Sequence, residues 1–377
     1  MKYFNKSDFR DFSKINNFRD SQNFHDNPIF QANSNALQIQ LFFDEFETVN
    51  PLGSRRGIHK IGAIYFTLQN FPSFLNSKLK FIHLLALYYS EDCKKYGLQK
   101  ILDQIVQDFR KLESEGVDVV GVGKFTGTVS TVSHDNLGAN SLYGFNESFS
   151  SNYYCRFCLT SGEEAQSLFS HSEMRIRNSQ DHSNHVKESY FGVKANCALN
   201  NLQFYNFMTS PSVDIMHDLL EGVVQYELKL VLRKLVKIKC FTLDTLNARL
   251  LSHNYGRIES KNKPSAIRLD LKGNSIGMKA AQSWTLVRFL PIIICDLVNS
   301  EEGMKYLKLI SLLLELMSYA FSPRFSEALI CRLENSVVQH HKYFKEVFPT
   351  HRFMPKHHFM CHYGFVVRKS GPLTSLW

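Results

Sequence analysis

Between Leu37 and Asp135 the sequence reads strand, strand, strand, helix, strand, and that order narrows the fold more than any other feature of the chain. Residues 37–43 (LQIQLFF) alternate with the period of a strand and lead to Asp44. Residues 50–57 (NPLGSRRG) carry the Pro and Gly punctuation of a turn. Residues 63–68 make a second strand, and 81–89 (FIHLLALYY) a third whose length also admits a helix. In residues 98–113 the apolar positions Leu98, Ile101, Leu102, Ile105, Val106, Phe109 and Leu112 share one helical face. Gly116 supplies the C-cap. Residues 117–122 restart as a strand, with a continuation through 128–132 toward Asp135. Antiparallel neighbours followed by a crossover helix and one more strand predict an α/β chain with a mixed sheet.

The character changes after Cys158. Residues 160–200 are polar, with scattered His and Ser. A long helix is expected over 213–236, started at Ser212 after Pro211. Further helices are expected over 242–253, 276–298 (kinked at Pro291), 303–320 and 324–346, with a loop over 261–274. The organisation is therefore a poorly ordered lead-in at 1–36, a core at 37–158, a mostly helical insertion at 159–354 and a His-rich return segment at 355–377.

At 377 residues the chain has room for two domains, or one with a large insertion. With 44% hydrophobic and 21% charged residues, intrinsic disorder is excluded for the bulk of it. The formal charge of +9 leans toward polyanionic partners, nucleic acid first. The N-terminal residues lack the apolar core of a secretory signal. No apolar run reaches the ~20 residues of a membrane span. Eight cysteines in that context point to a reducing, intracellular compartment, where metal binding outranks disulfides.

Four constellations carry candidate chemistry. Asp44 and Asp135 stand at the ends of two strands, the rigid placement that two-metal phosphoryl transfer asks of its carboxylates; Asp at a strand end is also ordinary turn chemistry. Cys155-Arg-Phe-Cys158 is the common first half of a zinc site. Its second half is sought in Pro355-Lys-His-His-Phe-Met-Cys-His362, where His357 or His358 combines with His362 and Cys361 is a further thiolate. Buried core thiols and a basic surface account for the same residues without a metal. Asp214, His217, Asp218 and Glu221 fall at offsets of three, four and seven, one face of an α-helix, where His217 is an alternative metal ligand. Finally, Lys342, Lys345, Arg352, Lys356, Arg368 and Lys369 form a basic cluster suited to DNA phosphates. No Walker loop, dinucleotide loop or serine-hydrolase elbow is present.

Taken in order, these segments resemble the CACTA (En/Spm-like) DDE transposases. Leu41-Phe-Phe-Asp-Glu-Phe-Glu-Thr-Val-Asn-Pro-Leu-Gly53 with His59-Lys-Ile-Gly-Ala63 resembles the first catalytic block. His134-Asp-Asn-Leu-Gly138, Tyr143-Gly-Phe-Asn-Glu-Ser-Phe149 and Tyr154-Cys-Arg-Phe-Cys158 resemble the second. Asp214-Ile-Met-His-Asp-Leu-Leu-Glu-Gly-Val223 resembles the Met-His helix, and Pro355-Lys-His-His-Phe359 with Gly371-Pro-Leu-Thr-Ser-Leu-Trp377 the closing segment. The resemblance implies an RNase H-like mixed sheet interrupted by a large helical insertion. It implies Mg²⁺ or Mn²⁺ at Asp44 and Asp135, DNA (transposon ends) as the partner, a possible homodimer and no membrane, and a nuclear location.

Similarity to the V(D)J recombinase core further implies one structural zinc held by Cys155, Cys158, His357 (or His358) and His362. The family's third acid is expected in a helix just beyond the Gly-Pro-Leu…Leu-Trp segment, where this sequence stops at Trp377. Glu221 is the only substitute at hand. On that expectation the chain is a truncated, inactive transposase-like protein. The alternative is a non-catalytic, domesticated DNA- or protein-binding module that keeps the fold and the zinc.

Overall fold

The computed structural model describes residues 14–47 and 60–376. The turn expected at 50–57 and the first part of the lead-in lie outside these residues. Strand β1 (Leu37–Glu47) pairs antiparallel with β2 (Lys60–Leu68), which pairs antiparallel with β3 (His83–Tyr89). Helix α1 (Leu98–Ser114) then crosses over, and β4 (Gly127–Ser133) lies parallel to β1 on its other side. The sheet order is β3-β2-β1-β4, a mixed sheet in an α/β chain.

The alternation of β1 sends Ile39, Leu41 and Phe43 to the face covered by α1. There they pack with Leu98, Leu102, Ile105, Val106 and Phe109 of the helix and with Ile64, Val129 and Val132 of the neighbouring strands. Each such side chain stabilises the fold by roughly 1.5–3 kcal/mol on burial. The opposite face is also covered at this end of the sheet. Gln38 and Gln40 are fully buried, and Gln40 Nε2 donates to Ser133 Oγ and to the carbonyl of Ser375, both at 2.8 Å.

Three expectations are corrected here. Residues 117–122 do not run on into the last strand. Positive φ at Gly121 (74°) and Gly123 (132°) turns the chain back, so Val117–Val119 pairs with Gly123–Phe125 as a small hairpin ahead of β4. The strand carrying Asp44 does not stop there but runs on to Glu47. The described part of the lead-in is not loose: Phe18, Phe24, Ile29, Phe30 and Ala36 form their own buried cluster, and Lys14–Ile15 pairs with Phe325–Ser326. Its aromatic content repays the cost of ordering it.

Beyond β4, α2 (Asn136–Leu142) is followed by an irregular stretch and then by a helical body. The helix expected from 213 starts later, as a π-helix over Met216–Val223 that runs into α3 (Val224–Lys237). The longer helices that follow are α4 (Leu243–Ser252), α5 (Ala280–Ile294, with Pro291 inside it), α6 (Glu301–Ala320) and α7 (Glu327–Val347). Two short helices, α8 (Pro355–Met360) and α9 (Tyr363–Ser370), return the chain to the sheet. Among the described residues no helix is long and apolar enough to cross a membrane.

Candidate metal centre and the acidic site beside it

Cys155, Cys158, His358 and His362 converge in the interior, all buried, with their ligand atoms within 4.8 Å of one another. Cys155 Sγ lies 3.5 Å from His362 Nε2, Cys158 Sγ 3.1 Å from His358 Nε2, and the two Nε2 atoms are 3.4 Å apart. A tetrahedron built on Zn–S and Zn–N bonds of about 2.3 and 2.0–2.1 Å has edges of roughly 3.3–3.8 Å. The set therefore fits a metal ion such as zinc. Burial disfavours the Cys155 thiolate, but a hydrogen bond from Cys158 and the two imidazoles outweigh it and hold that thiol well below its ordinary range. One of the facing Nδ1 atoms of His171 and His362, 2.8 Å apart, donates to the other and fixes the His362 ring. The sequence reading missed His171, which lies in a polar stretch with no spacing signal.

His357, the first choice for the second half, is not in the set. Residues four apart share a helix face and residues five apart do not. His358 and His362 therefore meet the cysteines, and His357 turns away. Its Nε2 lies 3.0 Å from Glu227 Oε1, while Glu227 Oε2 meets His340 Nε2 at 3.0 Å. Burial opposes ionisation of Glu227, but His340 and His357 prevail and hold its carboxyl at about 2. Cys361 also lies outside the set, and burial raises its thiol pKa.

The acidic site is built by strand register. Phe42 of β1 pairs with Ser133 of β4, so Asp44 and Asp135 each stand two residues beyond the same pair, on neighbouring parallel strands. Both are exposed. Burial, and then the nearby charge of Asp135, raise the Asp44 carboxyl, while a backbone hydrogen bond and His217 pull the other way. Asp135 also caps α2, accepting from the Gly138 amide at 2.6 Å. The turn-chemistry reading of this residue therefore holds alongside any metal role.

His217 faces this site. Its Nδ1 is 2.5 Å from Asp214 Oδ2 and its Nε2 is 3.7 Å from Glu221. The Asp214 hydrogen bond raises its pKa, with Glu221 and Asp135 adding to the effect. Asp214, His217 and Glu221 thus cluster as their spacing predicts, but Asp218 does not join them. In the π-helix it turns inward, fully buried. Asn136 Nδ2 and the Tyr363 hydroxyl donate to its two oxygens at 2.6 and 3.2 Å. Burial pushes its pKa up to about 6, against the lowering pull of Arg156. Asn136, Arg156 and Tyr363 are not among the site residues expected from the sequence, because nothing in their spacing marks them.

Most members of the basic cluster are paired within the chain. Arg368 pairs with Glu327 and Glu334, Arg352 with Glu163, and Lys369 approaches Asp26. Lys345 donates to Gln166 and to the His351 carbonyl. Lys356 donates to the carbonyl of His217 at 2.7 Å. Lys342 is exposed on α7. Most of these residues thus have acidic or carbonyl partners from distant segments of the chain, several of them at the surface. No protein-family model and no curated protein sequence matches the chain.

Proposed function

We propose that the chain is a DDE transposase-like protein on an RNase H-like fold, with a divalent-ion site at Asp44 and Asp135 and a structural zinc at Cys155, Cys158, His358 and His362. One observation carries the reading: two acids far apart in sequence stand side by side past one parallel strand pair, Phe42 and Ser133. The sheet order β3-β2-β1-β4, with its crossover helix before the parallel strand, supports the fold assignment. Glu221 is a further carboxylate on the same side, 3.7 Å from His217 Nε2. A pair of Mg²⁺ or Mn²⁺ ions supplies, when bound, the polarised water and the charge stabilisation of phosphoryl transfer. Asp44 and Asp135 would hold the ions, and their exposure leaves the site open to a DNA phosphate in the nucleus.

The test is Mn²⁺ binding followed by electron paramagnetic resonance on zinc-loaded protein. Asp135→Asn removes the charge yet keeps an N-cap residue, and Asp44→Asn removes the other charge. Wild type should bind Mn²⁺, with affinity at least ~10-fold lower in either variant. Binding that ignores both substitutions would sink the assignment.

A second reading, a non-catalytic binding module that keeps the fold and the metal centre, is favoured by the pairing of Arg368 with Glu334 and of Lys356 with the His217 carbonyl. Zinc-loaded protein that binds no Mn²⁺ would select it.

A further inference from the structure

Every segment that brings a ligand to the metal centre also sends a polar side chain toward the acidic site. Arg156 sits between Cys155 and Cys158 and is buried. Its Nη1 donates to Asn136 Oδ1 at 2.9 Å and its Nη2 to the Ser212 carbonyl at 3.1 Å. Asn136 directly follows Asp135 and donates in turn to Asp218 at 2.6 Å. Tyr363 directly follows the ligand His362, and its hydroxyl donates to the other Asp218 oxygen. Lys356, two residues before the ligand His358, donates to the carbonyl of His217. The struts therefore end on the neighbour of Asp135 and on His217 itself.

We propose that Arg156, Asn136, Asp218, Tyr363 and Lys356 form a positioning frame through which the metal centre sets the geometry of Asp135 and His217. The role assigned to the acidic site rests on the function proposed above; the frame itself does not. Asn136 and Asp218 are buried at 5% and 0% exposure and Tyr363 at 0%, so water cannot replace a lost bond. Asp218 is the node: two donors from different segments meet on its two oxygens, and it occupies the π-helix that presents His217. A shift of the ligand-bearing turns must therefore either break buried hydrogen bonds or move the acidic site with them. These five are positioning residues, since none is placed to touch a substrate.

The experiment exchanges zinc for cadmium, a larger ion that takes the same ligands, in deuterated full-length protein observed by ¹⁵N TROSY. The reporters are the amides of Gly138, which bonds the Asp135 carboxylate, and of His217. In wild type the exchange should move both, although neither adjoins a ligand. In Arg156→Met, which removes the direct bond to Asn136, and in Lys356→Met, which removes the bond to the His217 carbonyl, the same exchange should still move the ligand segments. Its effect should fall at Gly138 in the first variant and at His217 in the second, where the Tyr363–Asp218 strut remains. A fold that merely needs these bonds for stability would lower the melting temperature of the variants without uncoupling the reporters.

Reporters unmoved by cadmium in wild type, or moved equally in both variants, overturn the frame. If Arg156→Met does not fold, Arg156→Lys keeps the charge while losing the two-armed contact to Asn136 and the Ser212 carbonyl, and the same comparison decides. Mn²⁺ titration of the same samples is read separately. Absence of Mn²⁺ binding defeats the functional reading, while the frame stands or falls on the cadmium response.

Discussion

At the scale of single residues, the difference between His357 and His358 decides what each histidine does. The zinc-type spacing admits both, and only the helical conformation of α8 separates them. The residue classes at the metal centre were thus legible in the sequence, while the particular histidine was not. The two should fail differently when removed. His358→Ala should lose the metal, read as zinc content by mass spectrometry. His357→Ala should keep it, yet destabilise the protein by about 3 kcal/mol in urea unfolding, because half the pairing of a buried carboxylate disappears.

His217 gives a second test at this scale. Asp214 raises its pKa, so the pair's stabilisation is fully present below the ordinary imidazole value near 6.5. It is lost as pH rises through the higher folded value. A cation bound at Asp44 and Asp135 should lower that value, since linkage is reciprocal. NMR titration of His217 with and without Mg²⁺ reads it directly, and an unchanged midpoint would argue against an ion there.

At the scale of elements, periodicity found the strands, α1 and the later helices because each buries one continuous apolar face. It failed where the backbone departs from the regular period. The hairpin at Val117–Phe125 was hidden by a run of valines, although Gly121 and Gly123 marked the reversal. The π-helix at Met216–Val223 was invisible because its residues also fit an α-helical stripe. Its physical signature is Gly222. A Cβ there would lie 2.4 Å from Lys356 Cδ and 2.8 Å from the His217 carbonyl. Lys356 can therefore reach that carbonyl only over a glycine. Gly222→Ala should cost about 1–3 kcal/mol in chemical denaturation, the usual range for overpacking. It should also disturb the His217 resonance. A neutral result would mean that Lys356 simply swings aside and is no strut.

At the scale of the whole molecule, the two larger apolar cores are joined by residues remote in sequence. One core lies between the sheet and α1, the other among the long helices. The metal centre ties Cys158 to His358 across 200 positions. The closing segment then lays Leu373 and Leu376 into the second core and the Ser375 carbonyl onto Gln40. The alternation of β1 was plain in the sequence, but the burial of Gln38 and Gln40 was not, because their cover arrives from the far end of the chain.

Removing the metal should therefore act regionally before it acts globally. Chelation frees α8 and α9, and with them the segment that covers the glutamine face. Hydrogen exchange should rise first over Tyr363–Ser370, residues 371–376 and the centre of β1. Exchange in α1, whose contacts are with the sheet's other face, should follow only on global unfolding. The midpoint of thermal unfolding should fall by roughly 5–10 °C. Exchange that quickens everywhere at once would mean that the two cores form one cooperative unit. Exchange that does not change at all would mean that the four ligands hold the fold without an ion, and the centre would then be a cluster of buried thiols and imidazoles.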